Sequence, residues 1–466
     1  MSPTTTFASD QLLAEKIRAR TAQIAVIGIG YVGLPLAVAF ADAGFSTVGF
    51  DLDARKVESI HRGESYIADV ESALVQKLVT AKTLRASTDK TVLRDADVIF
   101  ICVPTPFDRM KAPDLAMIRS ASESIAQHLQ RGQMIILQST TYPGTTEEFV
   151  LPILETSGLK AGHDFYLAFS PERIDPGNKE WSANNMPKVL GGFTPRSTEL
   201  ARDLLATLTP HVHVVSTPRA AEMTKLLENI FRSVNIALVN ELALLCERMD
   251  INIWEVIDAA KTKPFGFMPF YPSAGVGGHC IPVDPYYLSW KAREYDFYTK
   301  FIELAAEVNQ SMPFHVVNLV ADAVNRDSKA LDGAKVLVLG VAFKRDIDDA
   351  RNSPAERVIE LLIARHANVS YHDPYVPHFH IGDSVFHREP RVLDGVALSP
   401  ETVRAADVVV IVTGHRNVDY GMILAHAKRV VDTTSVTAGM ESRAQVVRLG
   451  APTNARAADV GANGAA

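Results

Sequence analysis

The chain has 466 residues, of which 47% are hydrophobic and 22% are charged. This length predicts two or three domains rather than one core, and the composition is that of a globular protein. The formal net charge of −7 gives no sign of a nucleic-acid-binding surface, although it does not exclude an anionic ligand held by local amides.

No disulfide framework, metal site or membrane segment is predicted. The cysteines Cys102, Cys246 and Cys280 are far apart and odd in number, and their spacing fits no zinc site. The N-terminal segment lacks the apolar stretch of a signal peptide, and no uncharged run reaches the ~18 residues that a spanning helix needs. We therefore expect a cytoplasmic protein with no membrane or nucleic-acid partner.

Strands and helices alternate in the N-terminal part of the chain. Apolar, β-branched runs at 24–28, 47–51 and 96–103 predict buried parallel strands, and the pattern at 32–43 predicts a helix that Gly44 ends. Such alternation predicts a doubly wound parallel sheet.

The C-terminal third repeats this order of elements. Runs at 336–340, 369–373 and 406–413 correspond to the first three strands, with different spacing. Between the two sheets, residues 220–250 contain no Gly or Pro and predict one long helix, with further helices before and after Pro313.

The expected fold class is therefore α/β, with two Rossmann-like doubly wound domains joined by a central helical segment that contains one long helix. The predicted domain boundaries are 1–217, 218–325 and 326–450. An Ala/Gly/Asn-rich tail follows at 451–466 and is expected to be disordered.

A glycine motif at the end of the first strand predicts a dinucleotide site. Gly28, Gly30 and Gly33 form GxGxxG between a strand and a helix, and Asp51 ends the second strand, placed to accept hydrogen bonds from ribose hydroxyls. The carboxylate favours NAD over NADP because it repels a 2′-phosphate, although Arg55 lies nearby. The alternative is a glycine turn that binds nothing.

The second Rossmann-like domain lacks this fingerprint. The segment after its first strand begins at Gly340 and has one glycine where three are expected. Such a domain either holds a nucleotide by another surface or has a structural role.

Polar residues follow two further predicted strands, at 134–137 and 165–169. The segment 139–144 supplies hydroxyl groups, and the segment 170–177 supplies Glu172, Arg173 and Asp175. Open α/β sheets bind ligands at these carboxyl ends. The alternatives are an ordinary helix cap for the first segment and a solvated loop for the second.

The long helix carries a polar stripe. Placed at 100° steps, Glu222, Asn229, Arg232 and Asn240 fall within about 60° of Lys225, and apolar residues occupy the opposite side. Lys225 and Asn229 are i,i+4 neighbours. A solvent-exposed face is the alternative interpretation.

The segment 275–284 is the most informative part of the sequence. Three glycines precede Cys280, which predicts a backbone that a ligand can approach closely, and His279 and Asp284 flank the thiol. A lone cysteine is usually a small buried hydrophobe, which is how Cys102 and Cys246 are interpreted. The local sequence of Cys280 supports a nucleophile and a buried thiol equally.

Taken together, seven ordered motifs resemble the UDP-glucose/GDP-mannose dehydrogenase family over about residues 22–440. They are GIGYVGLPLA at 28–37, VPTP at 103–106, STTYPGT at 139–145, SPER at 170–173, AEMTKLLEN at 221–229, GGHCIPVDP at 277–285 and FKRDIDDARNSP at 343–354. The resemblance implies an NAD-binding domain at 1–217, a dimerisation and catalytic segment at 218–325 and a UDP-sugar-binding domain at 326–450. It also implies a homodimer or a higher homo-oligomer.

The resemblance further implies a four-electron oxidation of a sugar alcohol to an acid with two NAD⁺, through a covalent adduct on Cys280, in the synthesis of polysaccharide precursors. The catalytic residues would be Cys280, Lys225, Asn229, Asp284, Glu172 and Thr140. The cofactor-binding residues would be Gly28, Gly30, Tyr31, Val32, Gly33, Asp51, Arg55, Thr105 and Thr140. The substrate-binding residues would be Glu172, Arg173, Lys225, Asn229, Arg232, Phe270, Tyr271, Gly277, Lys344 and Arg351. No metal is expected.

One departure bears on the substrate. UDP-glucose enzymes carry a second glutamate four residues after the first, where this chain has Pro176, with Asp175 beside it. The surrounding sequence resembles the branch that oxidises UDP-N-acetyl-hexosamines, especially UDP-N-acetylglucosamine; the manno and galacto epimers and UDP-glucose stay open. Rival interpretations are a two-electron dehydrogenase of the β-hydroxyacid type and an inactive nucleotide-sugar-binding protein.

Overall fold

The structure, a computed structural model, describes residues 8–67, 69–108, 110–174, 180–181, 185–278, 280–382 and 389–452. His279, Asp175, Pro176 and most of the predicted tail lie outside these residues. The chain divides into two compact units: residues 1–228 with 286–298 form the first, and residues 229–285 with 299–466 form the second.

The first unit is built on one sheet. Its strands are β1 (Gln23–Ile27), β2 (Ser46–Phe50), β3 (Leu84–Ser87), β4 (Val98–Ile101), β5 (Met134–Leu137), β6 (Tyr166–Phe169), β7 (Lys188–Gly192) and β8 (Val212–Val214). Its helices are α1 (Ala8–Ala19), α2 (Gly33–Asp42), α3 (Ala54–His61), α4 (Ser72–Thr80), α5 (Ala116–Ala126), α6 (Leu151–Glu155) and α7 (Pro195–Leu205), with a π-helix at Thr145–Val150 and short 3₁₀ helices at Lys90–Leu93 and Arg293–Tyr295.

The strand order of this sheet is β3-β2-β1-β4-β5-β6-β7-β8, and every pair is parallel except β6 with β7. Side chains that alternate along a strand enter different cores: Val98 and Phe100 pack on one face of the sheet, and Ile99 and Ile101 pack on the other. Helices therefore cover both faces. Because the strands are parallel, the loops after β1, β4, β5 and β6 meet at one edge.

The second unit contains a smaller sheet with the order β10-β9-β13-β14-β15, all parallel, and a separate antiparallel hairpin. The strands are β9 (Lys335–Leu339), β10 (Asn368–His372), β11 (His378–Ile381), β12 (Arg391–Asp394), β13 (Val408–Ile411), β14 (Arg429–Asp432) and β15 (Gln445–Arg448). The helices are α9 (Ile253–Ala260), α11 (Lys300–Asn325), α12 (Pro354–Ala364), α13 (Pro400–Ala405) and α14 (Tyr420–His426). Two helices, α8 (Pro218–Met249) and α10 (Asp284–Ala292), contain residues of both units.

The expected fold class is confirmed: both sheets are doubly wound, and one long helix, α8, lies between them in the sequence. The five parallel strands of the second unit follow the order 2-1-3-4-5 rather than the order 3-2-1-4-5-6 of the first. The hairpin of β11 and β12 follows β10 in the chain and lies outside the parallel sheet.

The prediction of separate helices before and after Pro313 is wrong, because α11 continues through this proline. Pro313 cannot donate to the Asn309 carbonyl, which normally interrupts a helix. Here the helix is held from outside by a buried amide pair: Asn240 of α8 donates to the Asn309 side chain at 3.0 Å, and Asn309 donates to the Ser233 carbonyl at 3.1 Å. Tertiary packing therefore outweighs the local cost.

Candidate active site

The glycine motif of the first unit forms an open cradle at the end of β1. Gly28 has φ +85°, and a Cβ there would lie 2.8 Å from the Cys102 carbonyl oxygen. A Cβ on Gly33 would collide with the Gly28 carbonyl oxygen, which permits close packing of α2 on the strand. By contrast, no heavy atom of the described residues lies within 4 Å of a Cβ on Gly30. That space is where a pyrophosphate approaches the backbone.

Asp51 fixes the loops beside this cradle. Its carboxylate accepts hydrogen bonds from the Ile29 amide at 3.0 Å, the Asp53 amide at 2.9 Å and the Lys56 ammonium at 2.9 Å. Arg55 is held by Asp53 through two hydrogen bonds of 3.0 and 2.8 Å. The Arg55 guanidinium is thus engaged on its own helix, away from the role in 2′-phosphate binding that would have favoured NADP.

The loops after β4 and β5 bring two predicted cofactor residues together. The Thr105 hydroxyl donates to the Thr140 carbonyl at 2.8 Å, and the Tyr287 hydroxyl donates to the Thr105 carbonyl. Tyr31, from the glycine motif, is half exposed, and Val32 begins α2. These residues fit an NAD molecule bound along the carboxyl edge of the sheet; once bound, NAD⁺ accepts a hydride.

Glu172, after β6, is a buried carboxylate with a full set of donors. Oε1 accepts from the amides of Arg173 at 2.7 Å and Ile174 at 3.0 Å, and Oε2 accepts from Gln138 at 2.8 Å and from the Lys188 ammonium at 3.1 Å. Burial by itself would raise the pKa of Glu172, but the Lys188 charge and the amide donors outweigh it and the pKa is lowered.

Lys188 and Gln138 are not among the site residues predicted from the sequence. Lys188 lies at the first position of β7 and is almost completely buried, a rare environment for lysine that signals a paired charge. Its signal in the sequence is a lysine directly before a short apolar run. Arg173 donates to the Pro187 carbonyl at 2.9 Å and forms an ion pair with Glu228 at 2.7 Å. These contacts hold the described part of the charged turn, residues 170–174, in place.

Four of the five residues of the polar stripe on α8 are buried, all except Arg232, so the interpretation of the stripe as a solvent-exposed face is wrong for these four. Lys225 is 8% exposed and Asn229 3% exposed, one helical turn apart. Among the residues that the structure describes, Lys225 makes no ion pair, which leaves its ammonium available to a ligand. Arg232, two turns on from Lys225, is exposed.

Cys280 lies in a tight turn of the second unit. It is exposed, whereas Cys102 and Cys246 are buried as predicted. The Cys280 carbonyl accepts from the amides of Val283 at 3.1 Å and Asp284 at 2.8 Å, and α10 begins at Asp284. The Asn229 side chain donates to the Asp284 carboxylate at 2.6 Å, so two of the three predicted catalytic residues of this unit are in direct contact.

Two of the glycines before Cys280 pack closely against the segment 343–354 of the same unit. A Cβ on Gly277 would lie 2.8 Å from Phe343, and a Cβ on Gly278 would lie 2.9 Å from the Phe343 ring. This packing gives the two glycines a structural reason besides the predicted approach of a ligand. The Gly278 amide donates to the Arg351 carbonyl at 3.2 Å, so this packing brings the segment with Lys344 and Arg351 onto the cysteine loop.

Phe270 and Tyr271 precede that loop. Phe270 packs edge-on against Phe231 of α8, with ring centroids 5.8 Å apart. Tyr271 stacks on Trp254 of α9 and donates to Asp258 at 2.9 Å. The stacking and hydrogen-bonding contacts of Tyr271 are thus made with α9.

The first unit contains a dinucleotide cradle of the NAD type and a buried lysine on α8, and the second contains an exposed thiol and an Asp284 carboxylate paired with Asn229. The cradle indicates an NAD-dependent oxidoreductase. Three family models match successive parts of the chain. They describe the NAD binding domain (residues 22–209), the central domain (219–311) and the UDP binding domain (337–439) of one family. The chain belongs to the UDP-glucose/GDP-mannose dehydrogenase family and is an NAD-dependent nucleotide-sugar dehydrogenase.

Individual relatives agree. A UDP-N-acetyl-D-glucosamine 6-dehydrogenase from Pseudomonas aeruginosa is 40% identical over 76% of this chain and 83% of that protein. A UDP-N-acetyl-D-mannosamine dehydrogenase from Pyrococcus horikoshii is 35% identical over 84% of this chain and 89% of its own length. A solved structure of a UDP-D-ManNAc dehydrogenase from Pyrococcus horikoshii superposes with a TM-score of 0.83 at 32% identity, covering 92% of this chain and 99% of that one.

Proposed function

We propose that this enzyme oxidises the C6 primary alcohol of a UDP-N-acetyl-hexosamine, with UDP-N-acetylglucosamine as the first candidate, to the uronic acid for polysaccharide precursor synthesis. The observation that carries the proposal is the turn at Cys280. It combines an exposed thiol with an Asp284 carboxylate that Asn229 orients. Alcohol-to-acid oxidation needs such a nucleophile because the intermediate aldehyde must be held between two hydride transfers.

The proposed roles follow from the residues. The alcohol gives up a hydride and a proton, and the Lys225 ammonium, with a water held near Asn229 and Asp284, stabilises the oxyanion. The Cys280 thiolate then adds to the aldehyde carbon to give a thiohemiacetal. Loss of a second hydride and a proton leaves a thioester. Water hydrolyses the thioester to the carboxylate and frees the thiolate.

Glu172 is the carboxylate that we propose to assist this hydrolysis, with Thr140 nearby in the sheet edge. The four donors to the Glu172 carboxylate keep it ionised. A carboxylate with a lowered pKa is a weak base, so we propose that Glu172 acts through its negative charge, which helps to orient the attacking water.

The UDP part of the sugar nucleotide is proposed to bind to the domain at 326–450 and NAD to the domain at 1–217. The proposed contacts are Glu172, Arg173, Lys225, Asn229, Arg232, Phe270, Tyr271, Gly277, Lys344 and Arg351. A second candidate substrate, UDP-N-acetylmannosamine, has equal support from the named relatives.

The decisive experiment measures NADH released from NAD⁺ with UDP-N-acetylglucosamine, its manno and galacto epimers, and UDP-glucose. We expect two NADH per sugar acid, with an N-acetyl sugar preferred. One NADH per sugar would indicate a two-electron dehydrogenase, and binding by calorimetry without NADH would indicate a binding protein. Cys280→Ser should abolish steady turnover, whereas Cys246→Ser, at a buried thiol, should keep it; near-normal acid formation by Cys280→Ser would remove the nucleophile.

We further propose a homodimer, or a higher homo-oligomer, in the cytoplasm. One face of α8 exposes large apolar side chains to solvent in the single chain, which is typical of a subunit interface. By length and composition α8 also resembles a membrane span. Its buried Glu222, Lys225, Asn229 and Asn240 favour a helix packed within a protein.

A further inference from the structure

Glu222 is a completely buried carboxylate to which the roles proposed above give no task. It lies on the first turns of α8. Oε2 accepts from the Gly144 amide at 2.6 Å, and Oε1 accepts from the Thr146 amide at 2.9 Å and the Thr146 hydroxyl at 2.7 Å. All three donors belong to the segment that follows β5 and carries Thr140.

Through these contacts a residue of α8 caps the start of a different helix. Gly144 begins the helical stretch of residues 145–155 and has no side chain with which to bond the first amides. The unpaired amides at a helix start carry positive partial charge, so a carboxylate is their favoured partner. Glu222 supplies it from α8.

The cap joins two parts of the proposed site. Thr140 lies four residues before Gly144, and Lys225 lies three residues after Glu222 on the same helix. Because the link is buried and made by three short hydrogen bonds, a shift of the 139–144 loop relative to this turn of α8 would break it.

We propose that Glu222 is a positioning residue for alcohol oxidation: its carboxylate holds the Thr140 loop and the Lys225 turn of α8 in one register. This inference rests on the proposed function, since Thr140 and Lys225 act in that reaction. Glu222 touches neither substrate nor cofactor in this assignment, so its loss changes the alignment of the reacting groups rather than the chemistry.

The charge of Glu222 makes the link dependent on pH. Burial raises the pKa of Glu222 to about 6, against the lowering effect of its hydrogen bonds to Thr146 and Gly144. Other titratable and charged groups on the elements packed here are Tyr142, Glu147 and Glu148 on the loop and π-helix, Arg219 and Lys225 on α8, and Lys291 and Glu294 from α10 and the turn after it. Protonation below about pH 6 turns one acceptor oxygen into a donor and weakens the cap.

The first test compares Glu222→Gln with Glu199→Gln, a control at an exposed carboxylate paired with Arg196. In Glu222→Gln the amide NH₂ opposes a backbone donor, so we expect kcat to fall about 10- to 100-fold with a smaller change in KM for the UDP-sugar. The acidic limb of the kcat profile near pH 6 should disappear. Thr146→Val, which removes one donor and keeps the shape, should move this limb upward by about half a pH unit.

The second test needs no turnover. Trp290 packs on Tyr142 in the same loop, with ring centroids 5.1 Å apart, and the chain has three tryptophans. In the Trp181→Phe/Trp254→Phe protein, Trp290 emission should titrate with a midpoint near the pKa of Glu222, about 6, and the transition should vanish when Glu222→Gln is added.

The outcomes separate the two proposals. Wild-type enzyme that releases no NADH with any UDP-sugar contradicts the proposed function, while the fluorescence titration still tests the link between Glu222 and the loop. An active wild type with a Glu222→Gln variant that keeps kcat and its acidic limb overturns the positioning role. A Trp290 titration that persists in Glu222→Gln does the same.

Discussion

At the scale of residues, two carboxylates of the first unit are placed in opposite electrostatic environments. Glu172 is beside the Lys188 ammonium and has a lowered pKa, whereas Glu222 is buried among neutral donors and has a pKa of about 6. Environments that separate two such pKa values are typical of sites that use carboxylates in different ways. Here Glu172 stays ionised throughout the physiological pH range, whereas Glu222 changes charge at the lower end of that range.

Lys188→Met tests the first of these environments. Removing one partner of a buried ion pair leaves an uncompensated charge, which costs about 3–5 kcal/mol of folding free energy. The double variant Glu172→Gln/Lys188→Met should recover most of this loss, because no buried charge remains. Urea unfolding of the two single variants and the double variant measures the coupling; additive losses would contradict it.

The pH dependence of the same variant has a definite sign. In the wild type the lowered pKa of Glu172 means that its contribution to stability is present above its unfolded value of 4.5 and is lost as the pH falls. In Lys188→Met the ammonium that opposes the effect of burial is lost while the amide donors of Arg173 and Ile174 remain, so the pKa of Glu172 should rise relative to the wild type and the stabilising contribution of its ionised form should shrink. Unfolding of Lys188→Met and of the double variant between about pH 4 and 8 isolates this contribution.

Asp53→Asn tests how the chain discriminates between NAD and NADP. The asparagine keeps an acceptor for the start of α3 but weakens the hold on Arg55, which then becomes available to a 2′-phosphate. We expect the ratio of kcat/KM for NAD⁺ over NADP⁺ to fall about 2- to 5-fold, the size of an exposed ion pair. Asp203→Asn, which disturbs an exposed pair with Arg202, is the control. An unchanged ratio would mean that Asp53 does not restrain Arg55.

At the scale of elements, the loop before Cys280 depends on close packing with the segment 343–354. Gly278→Ala would introduce a methyl group 2.9 Å from the Phe343 ring at a residue with φ +87°. Gly439→Ala is a matched control, because Gly439 has φ +74° with no described heavy atom within 4 Å of the added carbon.

Both variants place an alanine at a residue with positive φ, but only Gly278→Ala brings the added methyl group against Phe343. We therefore expect Gly439→Ala to lose about 1 kcal/mol of stability and to keep its activity, and Gly278→Ala to lose about 1–3 kcal/mol more. Labelling of the Cys280 thiol by a small alkylating reagent should also change in rate only in Gly278→Ala. Equal stability and equal labelling in both variants would show that the Phe343 contact does not hold the loop.

The sequence predicted regular elements better than the reasons for individual residues. The sequence placed β1, β2, β9 and β10 within one residue of their observed ends. For β1 and β9 the reason is that a strand buried on both faces needs an unbroken apolar segment. The glycine motif and Asp51 were also found, since each has a local geometric cause.

Three features were missed because their cause lies far away in the chain. Pro313 is tolerated through Asn240, and Gly277 and Gly278 are required by Phe343. Lys188 is buried because Glu172 lies on the neighbouring strand's loop. None of these pairings has a periodicity or a spacing in the sequence that would reveal it.

At the scale of the whole molecule, α8 presents a row of large apolar side chains outward. Glu222, Lys225, Asn229 and Asn240 are buried, whereas this row is exposed along the opposite face, its members spaced three, four or seven residues apart. The row is Leu227, Phe231, Leu238, Leu242, Leu245 and Met249. This spacing forms one continuous stripe on a helix and matches the packing seams of helical assemblies. We expect a second copy of the chain to cover it.

Leu238→Glu should therefore convert the proposed homodimer into monomers. Leu238 is 53% exposed in the single chain, near the middle of the row, and a carboxylate there would be desolvated twice in a symmetric interface. We expect the dimer Kd to rise at least ~100-fold, measured by sedimentation velocity over a range of concentrations. Leu12→Glu is the matched control, because Leu12 is also 53% exposed but lies on α1. A dimer that survives Leu238→Glu but dissociates in Leu12→Glu would place the interface elsewhere. A wild type that is monomeric at every concentration would contradict the proposal that a second copy of the chain covers this row.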